Sequence, residues 1–209
     1  MDVDHQWKQV IWRCYRAWSN GCDVVVATPG AGQVVSPLPA GVTGEILASA
    51  PWMSDGYDRL WHTQVAARPA RLGAARTWHR TGDVGHLDTA GNIWVEGRVV
   101  HVIHAVEGAI TPVPLEIAAE EVPEVLRAAV VGIGPHGVQQ VVVVVEITNG
   151  NEGEASPELT AKVRLAVAPQ KIAAVWVVKE LPVDIRHNAK IDRTALAKKM
   201  SRLLSGERK

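Results

Sequence analysis

The sequence predicts an α+β fold, and three observations predict it. From residue 22 to residue 98 the apolar residues fall in short β-branched runs broken by Gly, Pro and Asp turns. From residue 115 onward, helical stripes alternate with strands. One of those strands, within 140–147, contains five consecutive valines, the pattern of a strand covered on both faces. The chain has 209 residues, ample for one domain or two small ones. Its 22 basic residues match its 22 acidic ones, and zero formal net charge argues against a nucleic-acid or anionic-membrane partner. Cys14 and Cys22 show neither metal-ligand spacing nor a disulfide framework, which fits a reducing compartment. The sequence opens without a charged-then-apolar leader, and no apolar run reaches the roughly 18 residues of a membrane span. A cytoplasmic protein without an integral membrane segment is expected.

Residues 4–18 place Trp7, Val10, Ile11, Cys14 and Trp18 at helical spacing, with Asp4 as an N-cap. The apolar face of this helix either packs on the rest of the chain or docks a partner. Residues 24–27 are a β-branched run, followed by a Pro-Gly-Ala-Gly loop at 29–32. No Lys-Ser/Thr follows that loop and no helix starts there, so it is not a phosphate-binding loop. Residues 68–76, rich in Gly, Ala and Arg, read as an exposed connector.

Residues 78–98, WHRTGDVGHLDTAGNIWVEGR, carry the strongest local pattern. Asp88-Thr89-Ala90-Gly91-Asn92 supplies hairpin-turn geometry between two strands. Asp83 is placed at a strand edge just before the hairpin, and Arg98 where the returning strand leaves. A carboxylate and a guanidinium brought together in this way can grip a ribose diol and its neighbouring phosphate. The plainer alternative is a surface turn with a loose ion pair. His101 and His104 follow. At strand spacing of three they point to opposite faces, so they read as two unrelated side chains rather than a metal pair.

The remainder reads as a compact unit. A short helix over 115–121 ends before Pro123, and buried strands follow at 128–133 and 140–147. Ser156-Pro157-Glu158 has the cap, the proline and the acid of a helix start, with Leu159, Val163 and Val167 on one stripe. A strand follows at 174–178. Asp192 caps a last helix whose Leu196, Met200, Leu203 and Leu204 line one face, with Gly206 beyond its end.

Thr81, Gly82, Asp83, Asp88, Gly91, Gly97 and Arg98 together resemble the TGD…D…G…GR motif of the AMP-forming, adenylate-forming ligases. These include acyl-CoA synthetases, luciferases and peptide-synthetase adenylation domains. Gly44-Glu45-Ile46-Leu47 and residues 51–57 are similar to the segment just upstream of it. Residues 181–193, LPVDIRHNAKIDR, resemble the closing motif P…NGK-[IV]-x-R, with Ala189 in place of the common Gly.

The resemblance covers about residues 23–205. It implies the end of an antiparallel β-barrel-like subdomain over 23–98, followed by the small α+β C-terminal lid over 99–209. Residues 1–22 stay unassigned. By the same resemblance, Asp83 binds the ribose hydroxyls of ATP, Arg98 contacts the adenylate and Lys190 is the catalytic lysine. Such a lysine neutralises the charge that builds as a carboxylate attacks the α-phosphate, once the lid is closed. The plainer alternative for Lys190 is a solvent-exposed residue before a helix.

The hinge of that family is normally GR-x-D, and Val100 stands here in place of its Asp, which puts the usual hinge mechanics in doubt. The sequence around Lys190, with His101 four residues beyond Gly97, looks most like the β-lactone synthetases of bacterial olefin biosynthesis. Those enzymes adenylate a long-chain β-hydroxy acid, whose hydroxyl then displaces AMP, and Gly108 then needs no role in CoA binding.

What the resemblance omits matters equally. The phosphate loop, the adenine-stacking segment and the acyl pocket belong to a large domain not found in this sequence. With it would go most of the Mg2+ site. The chain is therefore expected to bind nucleotide weakly and turn over nothing alone, as a fragment, a degenerate relative or the partner of a separately encoded large adenylation domain. An acyl-CoA ligase fragment and a non-catalytic interaction module are the alternatives.

Overall fold

The computed structural model describes residues 22–28, 36–53, 62, 66–67, 78–148, 150–183 and 190–205. The chain divides into two compact units, 1–100 and 101–209. The expected N-terminal helix, the loop at 29–32, the connector at 68–76 and Gly206 lie outside the described residues.

In the first unit β1 (Asp23–Ala27), β2 (Gly44–Ser49), β3 (His79–Leu87) and β4 (Ile93–Arg98) form one sheet in that order. Every pairing is antiparallel. Among the described residues this sheet is open and does not close into a barrel. Alternating side chains serve opposite faces. Ala27, Leu47 and Trp78 are buried in one cluster, and Val26, Ile46 and Ile93 in another.

The second unit opens with a small ribbon, β5 (Ile103–Ala105) and β6 (Gly108–Ile110). It continues through α1 (Pro112–Glu120), β7 (Val125–Ile133), β8 (Gln140–Ile147) and β9 (Gly153–Glu154). α2 (Pro157–Ala166), β10 (Ala174–Val178) and α3 (Arg193–Leu204) complete it. The sheet runs β7-β8-β10-β9, antiparallel except for β8 against β10, where α2 makes the crossover that a parallel pair requires.

The five valines behave as their pattern predicts. Val141, Val143 and Val145 face the cluster with Ala119, Leu159, Val163 and Val167, on the side of α1 and α2. Val142 and Val144 face Leu181, Leu196 and Met200, on the side of α3. All five are essentially inaccessible to solvent.

Three expectations shift. α1 begins at Pro112 rather than 115, because prolines fit a helix's first turn, where their missing N–H has no partner to lose. β7 begins at Val125 rather than 128, with a bulge between Val125 and Arg127 that the residue pattern conceals. The α3 stripe is buried at Leu196 and Met200, but Leu203 and Leu204 are 43% and 38% exposed. Helical spacing put all four on one face; only the first two lie where the helix meets the sheet.

Leu196→Ala should therefore lower unfolding free energy by about 2–5 kcal/mol. Leu203→Ala should change it by no more than about 0.5 kcal/mol. Urea denaturation of the two variants measures the contrast.

Candidate functional site

The β3–β4 hairpin closes on Asp88. Its carboxylate accepts from Ala90 N at 2.9 Å, Asn92 N at 2.8 Å, Asn92 Nδ2 at 2.8 Å and Trp94 Nε1 at 3.1 Å. The backbone adds Asp88 N to Asn92 O and Gly91 N to Asp88 O. Four donors favour the ionised form. The hydrogen bonds from the Asn92 and Trp94 side chains lead, and the Asp88 carboxyl is held down to about 2 from an ordinary 3.8.

Above the hairpin, Thr81-Gly82-Asp83 interrupts the ladder to β2. Glu45 pairs with Val84 and Leu47 with Arg80, so three residues of β3 stand opposite Ile46 alone. The Thr81 hydroxyl replaces lost ladder bonds: it donates to Ile46 O at 2.9 Å and accepts from Asp83 N at 3.0 Å. Gly82 takes φ +73, and a Cβ there would stand 3.2 Å from Arg98 Nη2. The bulge thus needs a residue with a hydroxyl, then one without a side chain, then the acid.

Asp83 is in register with Arg98, and Arg98 Nη1 donates to Asp83 Oδ1 at 3.0 Å. Asp83 lies inside the nine-residue β3, not at a strand edge before the hairpin. The bulge, rather than the end of the strand, exposes it. The side chains of Arg98 and Asp83 remain 52% and 34% accessible. An exposed pair of this kind contributes at most about 1 kcal/mol to folding, so a ligand can recruit both groups at little structural cost. A carboxylate acceptor beside a guanidinium donor suits a vicinal diol next to a phosphate.

Lys190 is exposed, one residue before Ile191, which forms an isolated antiparallel bridge with Val183. Residues 184–189, including Ala189, lie outside the described residues. Asp83 and Arg98 belong to the first unit and Lys190 to the second. Val100, in the 3-10 turn Val99–His101, is 81% exposed and is the last residue of the first unit.

The two histidines do not share a strand as their spacing suggested. His101 ends the 3-10 turn, while His104 lies on β5 and stacks on His136 with ring centroids 4.0 Å apart. Burial first, and then the neighbouring His136, hold the His104 imidazole below the ordinary histidine range. No group of three or more His, Cys, Asp or Glu among the described residues could hold a metal ion.

Several supporting residues carry no mark in the sequence pattern. Gly85 allows β4 to approach, since a Cβ there would stand 1.9 Å from Trp94 O. Glycines at 82 and 85 inside one strand were the available signal. Glu96, the extra residue of a bulge in β4, is buried; it accepts from Thr43 Oγ1 at 3.0 Å and lies 2.5 Å from His86 Nδ1. Arg80 pairs with buried Glu45 at 2.7 Å. In the second unit, Glu116 receives Arg193 Nε at 2.9 Å and Nη2 at 2.5 Å. No local pattern marks these carboxylates, because a charged residue in a strand or helix normally reads as solvent-facing.

Because its folded pKa is depressed, Asp88 contributes fully above about pH 4, and that contribution is lost as pH falls toward 2. A carbon-detected NMR titration should place its midpoint near 2, and Asp88→Asn should remove the acid-dependent loosening of the hairpin amides. Gly82→Ala should cost roughly 1–2 kcal/mol from backbone strain and displace the Arg98 guanidinium. Thermal unfolding and a crystal structure of the variant check the two effects.

Comparison with known proteins identifies relatives of this chain. No family model matches the chain. It is 36% identical over 173 residues to an olefin beta-lactone synthetase of Xanthomonas campestris pv. campestris, covering 78% of this chain and 31% of that protein. It is 30% identical over 164 residues to the putative acyl-CoA ligase YdaB of Bacillus subtilis, covering 78% of this chain and 30% of that protein. Among solved structures, the amide bond synthetase McbA from Marinactinospora thermotolerans matches with TM-score 0.69 and 26% identity. The match covers 86% of this chain and 34% of that one. The chain thus spans about a third of the length of the curated relatives it matches. Sequence relatives over most of the chain, the same fold and the motif set now placed on β3 and β4 converge, and the chain belongs to the AMP-forming, adenylate-forming ligase superfamily.

Proposed function

We propose that this chain supplies the ribose clamp and the lid lysine of an ATP-dependent enzyme that adenylates a long-chain acid, of the β-lactone synthetase kind. The observation that carries the reading is the register pairing of Asp83 with Arg98 across the β3 bulge, with both side chains open to solvent. In this reading Asp83 accepts the two ribose hydroxyls and Arg98 binds the adenylate phosphate. An oxygen of the acid bonds to the α-phosphorus of ATP while the bond to pyrophosphate breaks. Lys190 neutralises the charge that gathers on both groups. The β-hydroxyl of the acyl adenylate then attacks the acyl carbon, AMP leaves, and the ring closes as a β-lactone.

The residues present fit the nucleotide, because an accessible acceptor and an accessible forked donor sit 3.0 Å apart. Mg2+ would be held by the phosphates and by residues other than those described. The phosphate loop and the acyl pocket would come from a large adenylation domain, in the same polypeptide or separately encoded. Val100, at the end of the first unit, would take the hinge position. No described helix is long and apolar enough to cross a membrane, and a cytoplasmic setting suits the chemistry.

The test is calorimetric titration with a non-hydrolysable acyl-adenylate analogue, with the large domain added in trans if the chain alone is silent. Asp83→Ala and Arg98→Ala should each weaken binding at least tenfold, while unfolding free energy moves by no more than about 1 kcal/mol. Undiminished binding in Asp83→Ala, or no binding even with the large domain, overturns the reading. AMP release that requires CoA would assign the chain to an acyl-CoA ligase, as the similarity to YdaB allows.

A further inference from the structure

Glu116 joins three elements: it stands on α1, and its partners lie on β7 and α3. β7 is an edge strand, so alternate N–H groups along it have no neighbouring strand to receive them. Two carboxylates one helical turn apart on α1 take them: Glu120 Oε1 accepts from Ala128 N and Glu116 Oε1 from Val130 N, each at 2.9 Å. Glu116 in addition holds the forked guanidinium of Arg193. α1 packs on one face of the sheet and α3 on the other, so this ion pair crosses the open edge and ties the two layers together.

Arg193 is the first residue of α3. A cation in the first turn opposes the helix dipole, so helix stability does not account for it. Its side chain is only 18% accessible and that of Glu116 8%. Three residues upstream is Lys190. The intervening chain is pinned at each step: Ile191 bridges Val183, Asp192 N donates to Pro182 O at 2.8 Å, and the Asp192 carboxylate caps Ala195 N at 2.9 Å. Arg193 anchors the end of this run to the sheet edge. Because Lys190 directly precedes this pinned run, the backbone behind it limits where its ammonium group can reach.

We infer that the Glu116–Arg193 pair is the positioning device for Lys190, an inference that rests on the lid-lysine reading above. Arg193 touches no substrate in this role; it fixes the root from which Lys190 extends. The paired guanidinium also neutralises a carboxylate that would otherwise stand uncompensated at the sheet edge.

The test separates positioning from simple structure by using Glu116→Gln, which keeps an acceptor for Val130 N and removes only the charge partner of Arg193. Hydrogen exchange of the full chain is followed in Glu116→Gln, Arg193→Gln and Arg193→Lys. Exchange at 190–193 should rise about tenfold or more in the first two, with the amides of α2 unchanged. Arg193→Lys should recover thermal stability but not this protection, since an ammonium cannot reproduce the fork. Wild-type exchange at 190–193 in both Gln variants, or a rise matched across α2 and β8, overturns the inference. Local protection lost as expected, together with Lys190→Ala leaving adenylate formation unchanged when the large domain is supplied, overturns the lid-lysine reading instead.

Discussion

A strand buried on both faces has to find cover on both sides, and β8 sets that demand for the second unit. Val141, Val143 and Val145 call for one apolar layer, Val142 and Val144 for another. The chain meets the first with α1 and α2 and the second with α3. This arrangement has a direct consequence for chemistry. α3 follows β10 in the chain, and Lys190 stands between them, three residues before the helix begins. The position of Lys190, the proposed lid lysine, therefore depends on the burial of five valines far from it in sequence.

The first unit solves a different problem. A regular ladder would turn Asp83 into one more strand residue, so the site depends on breaking regularity. Thr81 supplies a hydroxyl where ladder bonds are lost, Gly82 adopts a backbone other residues resist, and Asp83 emerges beside Arg98. The bulge is anchored by buried polar contacts on either side, Arg80 with Glu45 and Glu96 with Thr43 and His86. The supporting groups are buried, while Asp83 and Arg98 are open to solvent. That division lets the clamp be well placed without being energetically committed to itself.

Much of this architecture is legible in the residue pattern. The hairpin at Asp88 to Asn92, the caps at Ser156 and Asp192 and the two-faced strand over 140–147 all follow from patterns within a few residues of each other. The spaced motif from Thr81 to Arg98 leads to the right superfamily, and the two residues singled out from it do meet. Other features are hidden. The bulge opposite Ile46 requires knowing which strand pairs with β3, and the exposure of Leu203 requires knowing where the sheet ends. His104 stacks on His136, thirty-two residues away, rather than standing apart.

Local elements and their caps are written into the chain directly, because hydrogen bonds and side-chain periodicity over one or two turns depend only on near neighbours. The superfamily is written there too, because the motif from Thr81 to Arg98 is spelled by residues close together in sequence. Which charges are buried is a different matter, settled by the tertiary fold alone. Glu96 with His86, Glu45 with Arg80 and Glu116 with Arg193 are joined across 10, 35 and 77 residues. A carboxylate's cost or benefit depends on what lies beside it once water is gone, and that neighbour is chosen by the fold as a whole.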